Sequence, residues 1–221
     1  MPGSKKKYEY WGRLASTFHQ DNLYVTGVKV NQLIRGWLIE QFNEGDVVLE
    51  LGCGTGFYSE MVIGKVKRMT ATDLAPEMTE QAKQNLAQFT NVEVRIEDCY
   101  NTSFKDNVFD GVLMTNLLHI VMDPHAVLME SHGVLKDNGR IVIVDFTRYG
   151  MSFVRFMAMG IRYLRRYGRP CSYGRNLKPE ELVGMVREAG FVVEELKLLG
   201  EDAKAVCLRG KKVGDEKPQK G

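Results

Sequence analysis

The sequence predicts a doubly wound α/β domain, a mainly parallel, seven-stranded sheet with helices on both faces and an antiparallel edge. Three observations predict it. Short apolar runs alternate with helical patterns from Val47 to Phe146, the sign of a buried parallel sheet with helical crossovers. The first run opens directly onto a glycine-rich turn. The last two strand-like runs are separated only by Gly200-Glu201-Asp202, a connection short enough for a hairpin.

Val47 to Leu51 is the first strand, ending at glycines, and Gly56 to Ile63 reads as the helix that follows. Met69 to Asp73 is the second strand. Pro76 to Phe89 is a helix with proline in its first turn, where the missing N–H costs nothing. Val92 to Asp98 is the third strand and Phe109 to Thr115 the fourth. A helix from Pro124 to Leu135 leads to an Asp137-Asn138-Gly139 turn and a fifth strand, Arg140 to Phe146. Lys178 to Ala189 is a helix stopped by Gly190. Phe191 to Leu199 and Ala203 to Arg209 complete the sheet. Residues 1–210 read as one domain, with 1–45 as an N-terminal helical cap and 147–177 as a lid or insert. Residues 211–221, polar and rich in Gly, Pro and Lys, read as a disordered tail.

The 221 residues suffice for a core, and a net charge of +2 gives no ground for a nucleic-acid partner. Cys53, Cys99, Cys171 and Cys207 lie far apart without ligand-like spacing, so neither a disulfide scaffold nor a metal site is expected. No secretory leader follows the lysine-rich start and no apolar run is long enough to span a bilayer, so a reducing, cytoplasmic setting is the expectation. Oligomeric state is not legible.

The most informative stretch is Glu50-Leu51-Gly52-Cys53-Gly54-Thr55-Gly56. Glycines let a backbone turn sharply and approach a ligand closely. Roughly twenty residues on, Asp73 ends the second strand, where an acid can accept from ribose hydroxyls. In the dinucleotide frame the third small residue would fall at Phe57, which blocks the tight helix–strand packing that frame needs. The pattern is instead acid-x-G-x-G-x-G, and it resembles motif I of the class I S-adenosylmethionine-dependent methyltransferases. Asp73-Leu74-Ala75-Pro76-Glu77-Met78, Glu97-Asp98-Cys99, Phe109-Asp110-Gly111-Val112, Asn116-Leu117-Leu118-His119 and Leu135-Lys136-Asp137-Asn138-Gly139-Arg140 resemble later segments of that family in the right order. Asp137 and Asn138 replace its usual Pro and Gly. The nearest subgroup is the small-molecule enzymes similar to ubiquinone and menaquinone biosynthesis methyltransferases.

The resemblance implies a Rossmann-like fold, S-adenosylmethionine as cofactor with S-adenosylhomocysteine as product, and a small apolar or amphipathic methyl acceptor. It implies roles for Glu50 and Gly56 within motif I, and places Gly52, Cys53 and Gly54 under the methionine part. Asp73 would hold the ribose hydroxyls, with Leu74 against the adenine. Asp98 would accept from the adenine amino group beside Cys99, and Asn116 and Leu117 would lie near the sulfonium end. His119 is the candidate base, because imidazole exchanges protons near neutral pH; the alternative is a histidine that only packs. A protein that binds the cofactor without turnover remains the second functional class.

Two further segments stand out. Tyr8, Tyr10, Trp11, Phe18 and Tyr24 make the N-terminal region aromatic, and Phe18 is a substrate-pocket candidate with Phe146, Tyr149, Phe153 and Met157. From Thr147 to Asn176 there is no acid but seven arginines. On a helix, Arg155, Arg162, Arg166 and Arg169 share roughly 60°, opposite Phe153, Met157, Gly160 and Leu164. Three readings stand: a lid whose apolar face covers the site, a helix docking on an anionic membrane or its lipid headgroups, and RNA binding. The low net charge and the lack of a separate module weigh against RNA.

Overall fold

The computed structural model describes residues 10–168 and 174–214. In chain order the elements are α1 (Phe18–Thr26), α2 (Val28–Ile39), β1 (Val47–Leu51), α3 (Ser59–Val62), β2 (Arg68–Asp73), α4 (Pro76–Asn85), β3 (Val92–Ile96), β4 (Phe109–Thr115), α5 (Pro124–Val134), β5 (Leu135–Thr147), α6 (Phe153–Tyr167), α7 (Pro179–Glu188), β6 (Phe191–Leu199) and β7 (Lys204–Lys212). The seven strands form one sheet in the order β3-β2-β1-β4-β5-β7-β6. All pairings are parallel except those of β7, which enters between β5 and β6 and runs antiparallel to both.

Strand alternation splits the core between the two faces. Leu49, Leu51, Val112, Met114, Ile141 and Ile143 pack with Val127 and Leu128 of α5 and Leu182 and Val186 of α7. Val48, Leu113, Val142 and Val144 pack on the other side with Ile34, Trp37 and Leu38 of α2 and Val62 of α3. Side chains of a strand point to opposite faces in turn, so an apolar run without polar breaks is what a sheet covered on both sides requires.

Several expected boundaries shift. The helix after the glycine turn begins at Ser59, not Gly56, and passes at Ile63 into a short 3-10 turn. The Asp137-Asn138-Gly139 turn lies inside β5, which begins at Leu135. Leu135 pairs with Phe109 and Arg140 with Gly111, so residues 136–139 bulge out, with Asn138 at φ 62°. The expected tail is corrected at its start. Lys211 and Lys212 belong to β7, and the Lys212 ammonium donates to the carbonyls of His132 and Leu135. Residues 215–221, like Tyr8, Arg169, Cys171 and Tyr173, lie outside the described residues.

The insert is helical as expected, capped by Ser152 Oγ, but its orientation is reversed. Its inward side carries Phe156, Met159, Tyr163 and the buried Tyr167, whereas Phe153, Met157 and Leu164 are exposed. No helix among the described residues is long and apolar enough to cross a membrane.

Candidate active site

Strand order reverses at β1, which has β2 on one side and β4 on the other. Open α/β sheets bind ligands outside the carboxyl ends of the strands at such a point. A cavity of about 220 Å³ opens there, room for a small molecule where one water needs about 10–15 Å³. Most of its lining comes from the ends of four strands: Gly52 to Gly54 after β1, Asp73 to Ala75 at and after the end of β2, Glu97 to Tyr100 after β3, and Thr115 to Leu117 with His119 to Met122 at and after β4. Trp11 and Phe18 close one wall from the N-terminal segment.

The glycine turn is built around Asp73. Gly52 and Gly54 adopt φ values of 71° and 54°, a region other residues enter at a cost. The Gly54 amide donates to Asp73 Oδ2 at 3.0 Å and the Ala75 amide to Oδ1 at 2.9 Å. Burial raises the Asp73 pKa above the ordinary value, against those amides, which favour the charged form. Each carboxylate oxygen accepts two bonds, so both keep capacity for a ligand hydroxyl. A Cβ on Gly54 would meet nothing nearer than Phe18 Cε1 at 3.8 Å, so that face of the backbone is open.

Charge restricts the occupant. Asp73, Glu97 and Asp98 line the cavity, and no Lys or Arg among the described residues does. The Gly54 amide, which would face a pyrophosphate in the dinucleotide arrangement, is already bonded to Asp73. An uncharged or cationic ligand fits this lining and a phosphorylated one does not.

The loop after β4 supplies the opposite wall. Asn116, at φ 54°, donates its own amide to Val144 and accepts from the Phe146 amide at 3.2 Å. Its Nδ2 contacts the Tyr58 hydroxyl at 3.4 Å. The phenol of Tyr58 is pushed up to about 12 by burial and stays neutral. His119 follows on the same loop, with Nδ1 at 2.6 Å from Oδ1 of the fully buried Asp145, and neither atom has another hydrogen-bond partner among the described residues. Asp145 Oδ2 also accepts the His119 amide at 3.1 Å. A carboxylate facing Nδ1 favours the tautomer with its proton there, which leaves Nε2 as the ring nitrogen free to take one. Arg175 holds this loop by donating to the carbonyls of His119, Val121 and Met122.

Of the residues expected to hold the cofactor, Gly52, Cys53, Gly54, Asp73, Leu74, Asp98, Cys99, Asn116 and Leu117 line the cavity, as does His119. Glu50 and Gly56 do not. Glu50 is fully buried below the turn, where Ser59 donates to it, and a Cβ on Gly56 would strike Leu86 at 2.9 Å, so that glycine serves packing. Phe18 is in the cavity, but Phe146, Tyr149, Phe153 and Met157 are not. Phe153 and Met157 point outward from α6, and Phe146 and Tyr149 precede that helix, so none of the four joins the described cavity lining. Trp11 came from the aromatic segment noted in the sequence, and sequence reasoning missed Tyr58, Tyr100 and Asp145. Only Asp145 carried a signal, as an acid inside the apolar run Ile141 to Phe146.

Glu50 gives a pH prediction. Its pKa is raised from 4.5 to about 7 by burial, aided by the charge of Asp73 and opposed by hydrogen bonds from Ser59 and Thr115. The native state therefore holds a proton that the unfolded chain releases. The stability this provides is full below the unfolded value and is lost as pH rises through about 7, a change of about 3 kcal/mol. Glu50→Gln is expected to remove that dependence. Urea unfolding at pH 5 and pH 8 checks it, and equal pH slopes for parent and variant contradict it.

A family model described as a methyltransferase domain matches residues 49–143. The ubiquinone biosynthesis O-methyltransferase of Xanthomonas axonopodis pv. citri is 29% identical over 156 residues, 69% of this chain; the chain spans only 65% of that relative's length. A demethylmenaquinone methyltransferase of Tropheryma whipplei is 29% identical over 181 residues, 75% of each chain. Among solved structures, a SAM-dependent methyltransferase of Thermotoga maritima superposes with a TM-score of 0.69 at 22% identity, over 93% of this chain and 99% of that one.

Proposed function

We propose that the chain is a class I S-adenosylmethionine-dependent methyltransferase, as the matched methyltransferase domain and the relatives support, and that it methylates a phenol- or quinol-type hydroxyl on a small apolar or amphipathic acceptor. The observation that carries this reading is that one cavity joins the glycine turn and Asp73 on one side to His119, backed by Asp145, on the other. Bound S-adenosylmethionine supplies a methyl group already activated on a sulfonium.

The residues present fit that group. The Gly52-Cys53-Gly54 backbone offers close approach, Asp73 has spare acceptor capacity for ribose hydroxyls, and Asp98 is an acceptor at the rim for an adenine amino group. Leu74 and Cys99 flank it, and Leu117 stands beside Gly52. The Cys53 thiol is pushed up by burial and stays a thiol, so it offers shape without competing as a nucleophile.

His119 takes the acceptor's hydroxyl proton on Nε2, and Asp145 keeps the proton on Nδ1 and stabilises the imidazolium that results. Trp11, Phe18, Ile120 and Val121 exclude water and give an apolar ring its contacts. The names of the two relatives support a ring-bearing acceptor.

Asp73→Ala tests the site. It removes a charge-assisted acceptor from the ligand and frees the Gly54 and Ala75 amides that the carboxylate braces. Cofactor affinity is expected to fall at least about tenfold by calorimetry. A screen of quinols, phenols, amines and thiols for released S-adenosylhomocysteine reads the acceptor. Release with hydroxyl acceptors is the expected result. Unchanged affinity in Asp73→Ala rejects the ribose role, and binding without release from any acceptor class rejects turnover.

A further inference from the structure

We propose that the outward face of α6 is a docking surface for an anionic lipid bilayer. The helix presents Phe153, Val154, Met157, Ile161 and Leu164 within an arc of about 100°. All five are exposed, with Phe153 at 76%, Val154 at 75% and Leu164 at 53%. The opposite side is already satisfied. Tyr167 packs edge-on against Trp11 and beside Phe18, and the Tyr10 hydroxyl donates to its carbonyl at 2.7 Å. The exposed stripe is therefore not the underside of a lid, and an apolar face of this width on a surface helix marks an interaction site.

Charge identifies the occupant. No acid occurs from Thr147 to Asn176. Arg165 stands at the edge of the arc and has no acidic partner among the described residues. Arg155 and Arg166 lie farther round, tied to Glu201 and Asp202 and to Asp21, and the exposed Arg148 is stacked on Phe156. A second copy meeting stripe to stripe would set arginine against arginine with no acid on either helix. A bilayer with phosphate headgroups answers both halves at once, taking the apolar stripe below the headgroups and Arg165 among them. Fifteen residues span about 22 Å, so the helix lies along the surface and does not cross it. The inward side of α6 packs on Trp11 and Phe18, which line the cavity, so docking places the site's entrance segment next to the membrane. The surface does not depend on which acceptor is methylated.

Co-sedimentation of the full chain with vesicles of phosphatidylglycerol and phosphatidylcholine, against vesicles of phosphatidylcholine alone, tests it. The parent is expected to pellet with the anionic vesicles at about 0.1 M salt and to be largely released at about 1 M, as the screening length falls from about 10 to about 3 Å. Val154→Ser with Ile161→Ser is expected to weaken partitioning more than about tenfold with unchanged circular dichroism and cofactor affinity. Arg165→Gln is expected to weaken it about fivefold. A parent that stays in the supernatant with anionic vesicles overturns the proposal, as does equal sedimentation of the double variant. A concentration-dependent dimer that the double variant dissolves, without vesicle binding, assigns the stripe to self-association and overturns it too.

Discussion

Gly54→Val is expected to fold and to lose S-adenosylmethionine binding by more than about a hundredfold. The added side chain enters the open side of the turn, where a Cβ meets only Phe18 at 3.8 Å, so it occupies ligand space without striking the core. At φ 54° a branched residue is strained, which costs on the order of 1–3 kcal/mol of stability. Gly54→Ala carries the same backbone strain with little bulk and is expected to keep most of the affinity. That contrast separates blocking from distortion. Gly52 is unsuitable for the same test, because a Cβ there would lie 2.8 Å from Leu117 Cδ1 and disturb packing. Calorimetry and thermal unfolding of the two Gly54 variants decide the matter. Parental affinity in Gly54→Val would remove the turn from the binding site.

His119→Ala is expected to lower kcat about 10²–10³-fold on a hydroxyl acceptor while leaving the cofactor dissociation constant within about twofold. On the proposed reading the ring handles the acceptor's proton, whereas Asp73 holds the ribose on the other wall of the cavity. Asp145→Asn is expected to cost about 10²-fold in kcat with little change in KM, because an amide that donates toward Nδ1 reverses the tautomer. Added imidazole is expected to restore part of the turnover of His119→Ala and none of that of Asp145→Asn. A parental kcat in His119→Ala would show that proximity alone drives the transfer and that the histidine only packs.

Much of this was legible because strand patterning and motif order depend on local sequence. The bounds of β4 and β6 fall where the apolar runs do, and β2 ends at Asp73 as its run does. The misreadings have a common cause in distant partners. The Asp137-Asn138-Gly139 segment has turn chemistry, yet Leu135 still pairs with Phe109 across the bulge, and Lys136 bonds Asp110 at 2.7 Å. Two lysines at the end of β7 look like tail, but Lys211 pairs with Arg140 and Lys212 with Phe191. The periodicity of α6 revealed two faces without revealing which one the body would take. The aromatic side won because Trp11 and Phe18, far away in sequence, offered rings to pack on. Asp145 became readable only when β5 placed it beside the loop that carries His119.

The cavity's walls have separate origins in the chain. The strand ends supply the glycine turn, Asp73 and Asp98, whereas Trp11 and Phe18 come from a segment outside the sheet altogether. On the proposed reading, the parts of the site assigned to the cofactor are fixed by the core, and the parts assigned to the acceptor hang from an appendage tied to α6 by the Tyr10 to Tyr167 hydrogen bond. Such a division makes the molecule evolvable. If the proposed roles hold, substitutions among the N-terminal aromatics would alter acceptor preference without disturbing the sheet that carries the glycine turn and Asp73.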